Sequence, residues 1–265
     1  MREEAARQKV ARVPRRVATV TDEPILISEQ LEGGVERLTM NRPARLNALN
    51  HPMAESLLAH FEARRRDESV RVILLRGGGR AFCSGADLKA AGQPALQDGP
   101  RGDWVLRDLM KAMRACPQPV VSLVRGPAAG GGLTLALASD IIVASETAAF
   151  HSAFINVGLT GAELGASWRL QRAIGVSRAR EMLYTGRPLN AADALSLGLV
   201  SAVVPDGELD AYGLALAADM LRAQPDALRL SKRSFDATLD AVSLEAALEI
   251  EERAQMLMIA RRRPA

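Results

Sequence analysis

Short β-branched apolar runs alternate along this chain with longer stretches in which apolar residues recur every three or four positions. Ile25–Gln30 and Val35–Met40 are strand-like and flank Glu32-Gly33-Gly34, a hairpin signal. Asn50 is placed to cap a helix with Pro52 in its first turn, running to about Arg66. Val70–Arg76 reads as a strand. Leu106, Leu109, Met110 and Met113 share one helical face, and Cys116-Pro117 ends that helix. Pro119–Val124 is a further strand, and Leu133–Ala138 is an apolar segment interrupted only by Thr134. Ile141–Ala144 is strand-like again. After about Leu189 the pattern turns mainly helical. Ser243 is placed to cap a last helix with Ala247, Ile250, Ala254, Leu257 and Met258 on one face. Strand, strand, helix recurs without repetition of the sequence itself, which predicts an α/β fold.

Composition fits a globular protein of one large domain or two smaller ones, with 265 residues of which 48% are hydrophobic. Aromatics are only 3%, so the core depends on Leu, Val, Ile and Ala. The net charge of +3 mixes acids and bases and argues against a nucleic-acid binder, although it would not repel a polyanionic coenzyme. Cys83 and Cys116 form neither a disulfide framework nor a metal pattern, and Cys83 reads as a small buried filler. No apolar run approaches a membrane span, and no secretory leader is evident, so a cytoplasmic location is expected. Residues 1–24 form a basic arm that also carries Glu3 and Glu4. It is expected to be mobile, or else to dock as a helix on a neighbouring subunit.

Two segments carry candidate chemistry. Arg125-Gly126-Pro127-Ala128-Ala129-Gly130-Gly131-Gly132-Leu133 links a strand to a helix start, and Arg80-Ala81-Phe82-Cys83-Ser84-Gly85-Ala86-Asp87-Leu88 also follows a strand. Glycines let a ligand approach the backbone, and a helix start leaves N–H groups unpaired. Two such turns could each aim one N–H at a common point, as stabilisation of an enolate oxygen requires. The alternative is that the glycines only let strand and helix pack closely.

With these segments the chain resembles the crotonase superfamily, the enoyl-CoA hydratase/isomerase family. Asn41–Leu49 looks like its first motif, Ala81–Leu88 its second and Gly126–Leu133 its third. Ser139–Ala144, Thr185-Gly186-Arg187 and Gly198-Leu199-Val200 also match, and the similarity runs from about Ile25 to about Met258. The resemblance implies a spiral of ββα units with two roughly perpendicular sheet layers over residues 25–188. It also implies a C-terminal helical oligomerisation region over 189–265, packed in a homotrimer or dimer of trimers. The chain ends soon after Met258, where relatives usually continue, which implies a more open acyl pocket or a lid from another subunit.

The resemblance further implies that a coenzyme A thioester lies with its carbonyl oxygen between the N–H groups of Ala86 and Gly131. No separate cofactor or metal is implied, since coenzyme A belongs to the substrate. The hydratases of the family carry two glutamates at positions that are Thr134 and Phe154 here, so two-carboxylate hydration is in doubt. Glu163, flanked by Ala162, Leu164 and Gly165, matches a loop where some members place an acid. Glu163 is thus the candidate acid/base, or else an acid favoured at a helix start. His151 is a weaker candidate beside Phe154. Arg45, Ser84, Asp87 and Leu88 match positions near the coenzyme, with Thr134 and Phe154 lining the acyl site. Asp87 and Asp140 also read as structural acids that tie down backbone N–H groups. The expected activity is double-bond isomerisation or hydration/lyase-type chemistry on acyl-CoA. A non-catalytic acyl-CoA binder is the alternative, and an RNA-binding member, supported only by Arg12–Arg16 and Arg261–Arg263, a minor one.

Overall fold

The computed structural model describes residues 23–88 and 100–261. Most of the expected basic arm, residues 1–22, lies outside the described residues. Strands β1 (Leu26–Gln30) and β2 (Val35–Met40) form the antiparallel hairpin, joined through a 3-10 turn at Glu32–Gly34. The Asn50 side chain accepts a hydrogen bond from the Met53 N–H and caps helix α1 (His51–Arg64). Then follow β3 (Val72–Gly77), α2 (Pro100–Ala115), β4 (Val120–Val124), β5 (Pro127–Ala129) and α3 (Gly131–Ala138). Next come β6 (Ile141–Ser145), β7 (Ala149–His151), α4 (Ala166–Ile174) and α5 (Val176–Thr185). The chain continues with β8 (Leu189–Asn190), α6 (Ala191–Ser196), β9 (Ala202–Val204), α7 (Leu209–Leu221), α8 (Pro225–Thr238) and α9 (Leu244–Arg261).

These strands build two sheets. One has the order β1-β2-β3-β4-β6-β9 and is parallel beyond the first hairpin, and the other has the order β5-β7-β8. The central strands are apolar at consecutive positions because both sheet faces are covered. Val72, Leu74, Val121, Leu123 and Val143 pack toward Leu209 and Ala217 of α7. Ile73, Leu75 and Val120 point the other way, into the core with Leu57, Leu109 and Leu133 of α1, α2 and α3. Helix α3 is buried along its whole length, which explains why Leu133–Ala138 has no polar face.

The chain after residue 188 is not purely helical. β8 joins the small sheet and β9 closes the large one, so the expected boundary at 188/189 cuts across both sheets. Both strands are too short, at two and three residues, for their alternation to be legible. In α9, which packs on α8, Ala247, Ile250, Ala254 and Met258 are half-buried, while Leu257 stands exposed at the edge of that stripe. Ser243 Oγ accepts from the Ala246 N–H. No helix among the described residues is long and apolar enough to cross a membrane.

One buried charge ties the first hairpin to α1. Glu36 is wholly buried. It accepts from Arg64 Nε at 2.8 Å, Arg64 Nη2 at 2.6 Å and Ser28 Oγ, and lies 3.1 Å from His60 Nε2. Burial on its own would raise this carboxyl, but the hydrogen bonds from Arg64, His60 and Ser28 together hold it at about 2. The folded value lies below the ordinary 4.5, so the network contributes stability above that pH, lost as pH falls toward 2. Chemical unfolding followed from pH 7 to pH 3 is expected to show this loss. Glu36→Gln, which leaves the Arg64 guanidinium without its counter-charge, is expected to cost about 3 kcal/mol or more at pH 7 and to flatten the acid dependence.

Candidate active site

Two turns meet at the start of α3. β4 passes through Gly126 into β5, and Gly130 then opens the helix with φ 51° and ψ −118°, a backbone conformation that favours glycine. The Gly130 N–H donates to the His151 carbonyl at 2.9 Å, so β7 fixes the turn from behind. The second turn follows β3. Cys83 bridges to Ala128 and Ala86 to Leu49. A Cβ on Gly85 would stand 2.7 Å from the Ala129 carbonyl oxygen and 3.4 Å from the Gly131 nitrogen. A Cβ on Gly132 would stand 2.1 Å from the Cys83 carbonyl oxygen. The two turns therefore touch backbone to backbone, with no room for a side chain between them.

The N–H groups left over at this contact are informative. Those of Ser84 and Asp87 donate to Leu46 and Leu49 carbonyls, and that of Thr134 to Gly130. Among the described residues, no protein acceptor takes the N–H of Ala86 or of Gly131. Gly131 is the first residue of α3, where an N–H has no partner inside the helix and the dipole is positive.

A clamp that sequence reasoning missed holds the second turn in place. Leu46 and Asn47 both adopt left-handed backbone, at φ 50° and 54°. The buried Asn47 side chain donates to the Gly78 and Ala81 carbonyls at 2.9 and 2.8 Å and accepts from the Arg42 N–H at 2.9 Å. Arg42 in turn donates to the Ala48 carbonyl and pairs with Asp87 at 2.8 Å. Asp87 thus binds a guanidinium across motifs. Asp140 makes the expected tie to a backbone N–H, accepting from that of Val120 at 2.7 Å, and also pairs with Lys232.

The other candidates fall as follows. Arg45 is exposed in a 3-10 turn, and Ser84 Oγ lies 3.5 Å from its carbonyl oxygen. Leu88 is exposed. Thr134 is buried, and its hydroxyl donates to the Gly131 carbonyl at 2.9 Å. Phe154 is buried, and its ring would lie 3.8 Å from a Cβ on Gly130, so it walls the start of α3. His151 Nε2 is engaged with Asn156 at 3.0 Å. Burial pushes the Cys83 thiol up to about 12, which leaves it inert as a nucleophile.

Thr134 stands one helical turn beyond Gly131 and opens on a cavity of about 190 Å³. Met110, Leu137, Ala138, Leu164 and Trp168 give it apolar walls, with Lys111, Arg114 and Arg169 at its edges. Leu164 reaches this wall through left-handed backbone at φ 48°, followed by Gly165 at φ 84°. Glu163, half-buried, immediately precedes Leu164, and its carbonyl accepts the Ala166 N–H at the start of α4. Among the described residues Glu163 does not itself line the cavity, and no other carboxylate does. The helical spacing of Met110 was a legible signal for this wall, whereas Trp168 and Arg169 carried none.

Comparison with known proteins agrees with this architecture. The family model described as enoyl-CoA hydratase/isomerase matches residues 30–263. A Mycobacterium tuberculosis protein named probable enoyl-CoA hydratase is 42% identical over 241 residues, 88% of this chain and 85% of its own length. The solved structure of a monofunctional enoyl CoA isomerase from M. smegmatis is 39% identical, with a TM-score of 0.73, and the match covers 84% of this chain and 98% of that one. A Thermobifida fusca protein solved in complex with acetoacetyl-CoA is 31% identical, with a TM-score of 0.79 and coverage of 89% and 95%. By its glycine turns, its two sheets and the length of these matches, the chain belongs to the enoyl-CoA hydratase/isomerase family.

Proposed function

We propose that this enzyme of the enoyl-CoA hydratase/isomerase family binds an acyl-CoA thioester and stabilises its enolate between the N–H groups of Ala86 and Gly131, with Glu163 moving the proton. The observation that carries the reading is the pair of unpartnered N–H groups on two turns in backbone contact. A thioester oxygen that accepts both donors gains most when it becomes an enolate oxygen, so the α-proton becomes more acidic.

Neutral backbone donors cannot carry a proton, so one base must. Thr134 has no titratable group near neutral pH and its hydroxyl is committed to Gly131, and Phe154 has none at all. Glu163 is the carboxylate nearest in sequence to the cavity wall. Double-bond isomerisation suits a site with one base: the α-proton leaves to the carboxylate, and the same proton returns at the γ-carbon. Hydration requires a water held and activated, for which the family's hydratases use two carboxylates. A T. fusca relative solved with acetoacetyl-CoA supports acyl-CoA as the ligand. Arg45, exposed beside Ser84, suits the phosphate end of the coenzyme, with Asp87 and Leu88 on the same loop edge.

The same reading includes assembly. Leu244, Leu248, Met256 and Ile259 of α9 and Phe235 of α8 are exposed apolar side chains on adjacent helices. Large apolar side chains exposed on two packed helices are a mark of an association surface. Light scattering at micromolar concentration is expected to give a trimer or a dimer of trimers, and a stable monomer would refute this.

Activity tests the catalytic assignment directly. Glu163→Gln keeps size and hydrogen bonding but removes the base. Isomerisation of a 3-enoyl-CoA is expected to fall by about 10²–10⁴ in kcat, with thioester affinity nearly unchanged. Gly131→Pro removes one donor and is expected to cost about 10²–10³. Full activity of Glu163→Gln on 2-enoyl-, 3-enoyl- and 3-hydroxyacyl-CoA would make Glu163 a helix-start acid only. Hydration of crotonyl-CoA is expected to be slow in the unaltered enzyme.

A further inference from the structure

We propose that Arg169 is a positioning residue for Glu163. By tying the first turn of α4 to the end of α3, it fixes the segment that carries the carboxylate relative to the Gly131 donor. The proposal rests on the reading above in which Glu163 is the base.

A single base needs a fixed place, because a displacement of about 1 Å can cost about 10² in rate. Glu163 does not receive that place from regular structure. It is half-buried and lies in the link 162–165, outside any helix or strand. Leu164 and Gly165 follow it in left-handed backbone, at φ 48° and 84°. A branched side chain such as leucine rarely adopts that region, so Leu164 is held there by its surroundings. The link owes its shape to what grips its two ends.

The upstream grip is main-chain packing. A Cβ on Gly161 would stand 2.1 Å from the Leu183 carbonyl oxygen of α5, and Ser152 Oγ donates to the Gly161 carbonyl at 3.2 Å. The downstream grip is α4. The Ala166 N–H donates to the Glu163 carbonyl at 2.8 Å, and the Arg169 N–H to that of Gly165 at 3.1 Å. These two bonds join the link to the first turn of the helix. From that turn the Arg169 side chain reaches α3, with Nη2 donating to the Ser139 carbonyl at 2.8 Å.

Ser139 is a firm point of attachment. It caps the C-terminus of α3, and its hydroxyl lies 2.6 Å from that of Ser122 on β4. Asp140, next in the chain, accepts from the Val120 N–H at 2.7 Å and from Lys232 at 2.8 Å. A guanidinium suits this end, since the last carbonyls of a helix lack partners and lie at the negative end of its dipole. Helix α3 is buried along its whole length and begins at Gly131. One end of this helix presents an N–H to the thioester oxygen. The other holds, through Arg169, the link that carries Glu163. Trp168 gives α4 a second hold, with the Arg114 guanidinium of α2 5.2 Å from its ring centroid, so loss of Arg169 alone leaves the helix docked.

Kinetics on single and double variants test this. Arg169→Met keeps an apolar stem and removes every donor. Isomerisation of a 3-enoyl-CoA is expected to fall by about 10- to 100-fold in kcat, with calorimetric affinity for saturated hexanoyl-CoA nearly unchanged. Arg169→Lys restores a cationic donor without the planar fork and is expected to recover part of the loss. In a Glu163→Gln background, Arg169→Met is expected to cost nothing further, because a residue that acts through the base has no effect once the base is gone. Losses that multiply in the double variant would overturn the proposal and leave Glu163 as the base. Full activity of Arg169→Met would do the same, as would a variant that weakens hexanoyl-CoA binding as much as it lowers kcat. Thermal unfolding checks that each variant is folded. Where Arg169→Met is not, Arg169→Lys carries the same cycle, with a smaller loss in kcat expected and full activity counting against the proposal. Full activity of Glu163→Gln alone would overturn the base assignment, and this proposal with it.

Discussion

The site depends on two stretches of backbone lying closer than any side chain would allow. A Cβ on Gly126 would come within 2.2 Å of the Arg80 carbonyl oxygen, and one on Gly132 within 2.1 Å of that of Cys83. Glycine at these positions lets the segment after β3 lie flat against the turn that starts α3. Once the two are in contact, the Cys83–Ala128 and Leu49–Ala86 bridges fix their register. The Ala86 and Gly131 N–H groups are what this register leaves over. The availability of these two donors is therefore a consequence of main-chain packing, which neither titrates nor changes rotamer.

Such a contact needs support from both sides, because backbone donors act well only when they are held in place before the substrate arrives. From the front, two side-chain hydrogen bonds of Asn47 join the first motif to the residues just before the second turn, and a third, from the Arg42 N–H, braces the motif itself. Arg42 adds the ion pair with Asp87 beyond that turn. From behind, the His151 carbonyl holds Gly130 and the Phe154 ring covers it. His151 thus holds the turn through its backbone carbonyl, while its imidazole is engaged with Asn156.

Legibility followed from the range of the interactions. The hairpin, the Asn50 cap, the apolar α3 and both glycine turns are local patterns, and they were readable because each is written within about ten residues. β5, β7 and β8 were not, since two or three residues carry no period. The left-handed pair Leu46-Asn47 was invisible because neither residue is the glycine that usually marks such backbone. The cavity was the hardest part. Trp168 and Arg114 are 54 positions apart in the chain, and nothing in either neighbourhood announces that they stack. Lys232 and Asp140 are a comparable case: they pair at 2.8 Å across 92 positions.

Thr134 stands one helical turn from the Gly131 donor and lines a pocket walled by Met110, Leu137, Leu164 and Trp168. Its hydroxyl donates to the Gly131 carbonyl at 2.9 Å, within the first turn of the helix that carries that donor. The side chain next to the donor is thus spent on bracing the start of α3 and adds no charge to the pocket. The polar element at this end of the site is the main chain itself, held by the same packing that leaves its N–H groups unpartnered.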